Sequence, residues 1–188
     1  MPTLSLSTER LILVVAAGLV YWLTYQVNSD FFTDWVFTQG VSLVYLPAGI
    51  KLLAILIAGV WGAMGITIAL FVVALDLWSN VSASALLIYA IVSTGTTYLV
   101  ITQLRAWLRI SDDLGNLDIT KLAIMDGVNA VIHGLVVNAY FFSIGARSGD
   151  AVVSDGLAMS VGDFVGSGLV LMSICLAMGA NRLLLRVR

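Results

Sequence analysis

The chain has 188 residues, of which 60% are hydrophobic and only 11% charged, with a mean hydropathy of +1.03 and a formal net charge of −2. Such a composition excludes a water-soluble domain, and the slight acidic balance leaves no footing for nucleic-acid binding. The single cysteine, Cys175, lies in an apolar run and has no partner for an internal disulfide.

The reading is an all-α, multi-pass membrane bundle in which residues 1–188 form one integral membrane domain and the lipid bilayer is the first partner. Hydropathy marks six spans: Leu11 to Val27, Val41 to Ala58, Gly62 to Leu77, Ala83 to Leu104, Lys121 to Ser143 and Leu157 to Asn181. The first is too long for a secretory leader and no small-x-small cleavage site follows it, so it is read as an anchor. The next segment, FFTDWVFTQG (31–40), mixes aromatics with Asp34 and is expected as a short turn or helix at the headgroup level, in an aromatic belt that Trp78 also joins.

Span two opens with VYLPAGIKLL (44–53), which places a proline, a glycine and a lysine inside an apolar run. Pro47 lacks an amide hydrogen and clashes with the preceding turn, so span two is kinked there or interrupted there. In the interrupted form residues 41–46 enter non-helically, shielded by protein, and the helix starts at Pro47 with its free amides facing the bundle. Lys51 lies about ten residues into the span, or ~15 Å at ~1.5 Å per residue, near the midplane. Insertion of a lysine there costs ~2.5–3.5 kcal/mol unless something compensates it. Helical spacing aligns Pro47, Ala48, Lys51, Ile55, Ala58 and Gly62, a mostly small-residue face that sends Lys51 into the bundle.

RISDDLGNLDITK (109–121) is the longest polar loop, with a turn at Gly115 and Asn116 and a solvated surface. In span five Asp126, Asn129 and His133 fall at i, i+3 and i+7 and form a polar stripe on one helix face. ARSGDAVVSDG (146–156) is the loop on the opposite side. In span six VGDFVGSG (161–168) carries Asp163 about one turn above Lys51, so a Lys51–Asp163 ion pair is the leading contact. Gly162 and Gly166 make a GxxxG spacing that supports a close helix crossing at the level of Asp163, and Gly49 is a further packing position beside Pro47.

With six alternating spans Arg10, Arg105, Arg109, Lys121, Arg182, Arg186 and Arg188 fall on one side and Arg147 alone on the other, seven against one. That bias puts both termini in the cytoplasm, with a bacterial inner membrane as the expected location. One lysine against two aspartates leaves the buried cluster with a net charge of −1 when His133 is neutral. The balance calls for a protonated aspartate, a charged His133, bound water or a cationic guest. The cluster Lys51, Asp126, Asn129, His133 and Asp163 is therefore either a polar network that holds helix register or a ligand site. A lone histidine without other ligand-type residues does not make a metal site, and no cofactor motif is present. Ser167 beside His133 suggests an intramembrane serine hydrolase only formally, because no nucleophile turn or oxyanion donor frames it; the reading is of a non-enzyme.

LPAGIKLLAILIAGVWGAMG, followed far along by GDFVGSGLVL, resembles the type-one membrane-associated sensor domain, a helical bacterial module. The resemblance covers most of the chain and implies a signalling module that precedes a cytoplasmic output domain such as a histidine kinase or diguanylate cyclase. Here LLLRVR follows span six directly, so the expectation is a free-standing version acting through another protein. The first functional reading is a sensor-like or adaptor module that packs against a partner membrane protein or serves as a subunit of a larger assembly. The alternative is a small-solute binding subunit of a transporter, since six helices in a chain of this length resemble the substrate-capturing subunits of energy-coupling-factor vitamin transporters. That reading predicts an enclosed, outward-facing pocket beside Pro47.

Overall fold

The computed structural model describes the backbone of residues 6–186 and the side chains of residues 7–177. Arg188 lies outside the described residues, as do the side chains of Arg182 and Arg186. The elements in order are α1 (Leu6–Phe31), a 3-10 turn (Thr33–Trp35), β1 (Val36–Thr38), β2 (Val41–Ser42), α2 (Pro47–Leu77), α3 (Ala83–Trp107), α4 (Ile119–Ser143) and α5 (Gly149–Arg186). Among the described residues five helices are long and apolar enough to cross a membrane, the build of a multi-pass membrane protein. Their outward faces carry exposed Leu11, Leu19, Ile57, Ile68, Leu99 and Leu176, which suits lipid rather than water.

The stretch read as spans two and three is a single element, α2, broken at Gly59. Gly59 has φ 55° and ψ −128°, a combination open to glycine and closed to residues with a Cβ. The break folds the chain back on itself. A Cβ at Gly62 would collide with the carbonyl of Ala54, which a continuous helix would hold about two turns away. Both ends of α2 consequently meet the same loop: the Gln39 side chain donates to the carbonyl of Leu77 at 2.8 Å, a few residues before the chain enters at Pro47. Straight, the 31 residues of α2 would run ~46 Å and could not do this. At the other end the Arg10 guanidinium sits 5.1 Å above the Trp61 ring, just past the break.

The bundle thus has two distinct ends. One, the hairpin end, gathers the β1–β2 hairpin, the 78–82 turn and the 144–148 loop; Arg147 donates to the Gln39 carbonyl at 2.7 Å and Tyr140 to that of Ala85 at 2.7 Å. The other, the loop end, holds the Gly59 break and residues 108–118. There Asp118 caps α4 by accepting from the Lys121 amide at 2.8 Å, which starts the helix at Ile119. Asn116 and Asp113 close the loop by accepting from the Ser111 amide and the Gly115 amide. The Ser111 hydroxyl and the Gly115 amide hold the Asp113 carboxyl below its ordinary pKa.

Two expectations change here. Residues 149–156 are the first turns of α5 and not a solvated loop, because Asp155 is buried in an ion pair with Arg147. Trp78 does not join an interfacial belt. It is 7% exposed and stacks on Phe141 with ring centroids 4.5 Å apart, whereas Phe31, Trp35 and Phe37 remain exposed at that end.

Candidate functional site

The site is assembled on the inbound segment 41–46. After β2 the chain is non-helical to Leu46, yet Val41 and Val44 are buried, so each backbone group there needs a partner. The amides are satisfied one by one. That of Leu43 donates to the Trp35 carbonyl (2.8 Å), Val44 to the Ser42 hydroxyl (3.3 Å), Tyr45 to the Gly162 carbonyl (3.0 Å) and Leu46 to the Asn28 side-chain oxygen (2.7 Å). Pro47 then takes the first helical position, where the missing amide hydrogen costs nothing. The interruption expected at Pro47 is therefore a helix start, and the amides of Ala48 and Gly49 are taken up by Tyr45 and Leu46. They do not face the bundle as free donors.

Gly162 and Gly166 explain how an irregular strand can lie on a helix. A Cβ at either position would collide with the carbonyl of Ser42 or of Tyr45. The GxxxG spacing serves backbone contact with the inbound segment, and the helix–helix crossing expected there is not its role. Gly49 similarly lets α2 approach the α5 backbone at Ser167 and the side chain of Val170.

One turn below Pro47, Lys51 is 2% exposed. Its ammonium lies 2.9 Å from His133 Nε2 and 3.3 Å from Ser93 Oγ, and Ser93 Oγ is itself 2.8 Å from Nε2. On the far side of the ring His133 Nδ1 is 2.6 Å from Asp163 Oδ2. A carboxylate only accepts, so Asp163 holds the ring proton on Nδ1 and leaves the Nε2 lone pair to Lys51. The expected direct Lys51–Asp163 ion pair is not formed. The imidazole stands between the two charges because the lysine stem, pointing back toward the start of α2, ends beside α3 and α4.

Of the other residues of the expected cluster, Asp126 and Asn129 are buried on α4, as their helical stripe implied, but neither lines the space described next. Asp126 faces Ser167 of α5, and the Asn129 side-chain oxygen has no partner among the described residues. Ser93 escaped the sequence reading. The signal available was the polar run STGTT (93–97) inside an apolar span, where Ser93, Thr94 and Thr97 are all buried.

Above this layer a cavity of about 180 Å³ opens toward the hairpin end. That is well beyond the ~10–15 Å³ that admits one water. Its floor is Lys51, Ser93, His133 and Asp163; aromatic walls come from Tyr21, Tyr45, Tyr89 and Trp78; Asn28, Gln39 and Ser42 lie toward the hairpin. The Tyr21 and Tyr45 hydroxyls bond each other at 2.8 Å, which locks α1 to the inbound segment.

Ser93, His133 and Asp163 stand in the order of a hydroxyl–imidazole–carboxylate triad at matching distances. Two features argue against nucleophilic use. The Lys51 ammonium competes for the lone pair the hydroxyl would need, and Ser93 is inside α3, where neighbouring amides are spent on the helix and cannot form an oxyanion hole. The geometry is better suited to recognition than to acyl transfer. No protein-family model, curated protein or solved structure matches the chain.

Proposed function

We propose that this protein is a sensor-like membrane module that binds a small solute in the cavity and passes its state to a partner membrane protein or to the larger assembly of which it is a subunit. The observation that carries the reading is the cavity itself: a space beside Pro47, open toward the hairpin end, with charged groups at its floor and aromatic walls, built where helical backbone gives way to an irregular segment. The resemblance of LPAGIKLLAILIAGVWGAMG and GDFVGSGLVL to the type-one membrane-associated sensor domain supports the same reading.

In this proposal the chain crosses a bacterial inner membrane six times, since α2 contributes one arm on each side of Gly59, and both termini are cytoplasmic. The support is the return of both ends of α2 to the hairpin and the basic residues: Arg10, Arg105, Arg109 and Lys121 lie at the loop end, Arg147 at the other. The cavity then opens to the outside.

The test is a thermal-shift screen of the full chain in lipid nanodiscs against a broad solute panel, run beside Ala74→Trp, which fills the cavity from its wall. A solute that raises Tm in the native chain and not in the variant supports the reading; equal responses in both overturn it. Pull-down from native membranes separates the two settings. A signalling or assembly partner fits the module, whereas an energy-coupling partner with uptake of the bound solute fits the transporter subunit.

A further inference from the structure

The floor of the cavity is a separated ion pair with one donor and one acceptor left over. An ammonium carries three N–H groups. Two of those on Lys51 go to His133 Nε2 and Ser93 Oγ, and no other partner is found among the described residues, so one donor remains. Asp163 spends Oδ2 on His133 Nδ1; its Oδ1 is buried without a hydrogen bond, on a side chain 2% exposed. Both residues line the cavity, on either side of the imidazole. An unpaired carboxylate oxygen in so dry a place is costly unless something else completes it.

We propose that the cavity takes a small zwitterion of the amino-acid class, its carboxylate on Lys51 and its ammonium on Asp163 Oδ1. This rests on the solute-binding reading above and names its ligand. Charge decides the class. The floor carries one cation and one anion with a neutral histidine between them, so a singly charged guest would leave a buried charge unbalanced, while a zwitterion adds one charge of each sign. Spacing points the same way: the lysine and the carboxylate are separated by an imidazole and the hydrogen bonds of 2.9 and 2.6 Å on its two sides, a gap that a guest with its charges one to three carbons apart can bridge. The Tyr21, Tyr45, Tyr89 and Trp78 walls suit an ammonium face-on and a short apolar side chain beside it. The volume of about 180 Å³ suits a solute of this size.

The experiment uses the full chain in nanodiscs at neutral pH and titrates glycine, alanine, leucine, β-alanine and γ-aminobutyrate against their half-molecules, acetate, propionate, methylamine and ethylamine. Neutral 1,2-propanediol completes the set. At least one zwitterion is expected to bind roughly tenfold or more tightly than every half-molecule and the diol. Lys51→Gln and Asp163→Asn are each expected to remove that preference. The native-chain panel decides by itself, whether or not either variant folds. Preference for a singly charged or neutral solute, abolished by Ala74→Trp, overturns the zwitterion and leaves the solute-binding reading standing. No binding by any member overturns the zwitterion, and no cavity-dependent response in the broad screen overturns both.

Discussion

At the hairpin end residues 41–46 run without helix and a cavity with an ionic floor and phenolic walls persists beside the apolar cluster of Val41, Leu70, Trp78, Leu86 and Phe141; at the loop end Leu52, Ile55, Leu56, Ala63, Ile101 and Met125 close the space between helices with apolar atoms. Even the loop contributes to that filling, since Ile110 is buried against it. The two halves share helices, so the contrast comes from what interrupts them. At Gly59 the chain reverses within one residue, and small or aliphatic side chains pack up to the turn. Before Pro47 it is not helical, and backbone groups that a helix would satisfy recruit Trp35, Asn28, Ser42 and Gly162 of α5. An irregular backbone in a membrane must be lined with polar partners, and those partners keep the space from closing.

Six substitutions probe this division. The largest effect is expected from Lys51→Met, which leaves Asp163 as an uncompensated buried charge and should cost about 3–5 kcal/mol, read as loss of thermal stability in nanodiscs. The double variant Lys51→Met/Asp163→Leu should recover a large part of that loss; strictly additive losses would show that the His133 bridge does not couple the two residues. Next, Gly166→Val drives a side chain into the Tyr45 carbonyl and should destabilise by about 1–3 kcal/mol while abolishing solute binding. Gly168→Ala meets nothing within 4 Å and serves as its control on the same helix.

Gly59→Ala places a Cβ at a positive φ in otherwise open space, so only backbone strain of about 1–3 kcal/mol is expected, with the cavity and its ligand preference intact. If binding is lost with stability, the two ends are not separable. The smallest effect concerns Asp113, whose folded pKa is depressed below 3.8. Its contribution to loop order is fully present above the unfolded value and is lost as pH falls through the depressed one. Hydrogen exchange of the Gly115 amide should therefore rise in strong acid, and Asp113→Asn should remove most of that pH dependence.

The polar residues of α2, α4 and α5 were legible because each is expensive in an apolar helix: Lys51, Asp126, Asn129, His133 and Asp163 are all buried, as their depth and spacing implied. Ser93 was not, since hydroxyls satisfy themselves on their own helix, as Thr97 does with the Ser93 carbonyl, and so announce no partner. Tyr21, Tyr45 and Tyr89 counted only as apolar bulk in the hydropathy pattern, and Trp78 as a member of an interfacial belt. Arg147 and Asp155 looked like loop charges because their pairing crosses the start of α5 and has no period to betray it.

By itself the sequence determined that the chain is a bundle of apolar helices, that a break falls between Ala58 and Gly62, that Pro47 kinks or interrupts the helix and that Lys51 needs a compensating group, because these follow from local composition and the solvent it demands. Tertiary structure alone decided that α2 starts at Pro47, that Gly162 and Gly166 receive a strand of irregular backbone, and that His133 stands between Lys51 and Asp163. Those outcomes depend on which atoms meet across helices far apart in the chain. A difference of one imidazole ring in reach separates a closed ion pair from a site with a donor and an acceptor to spare.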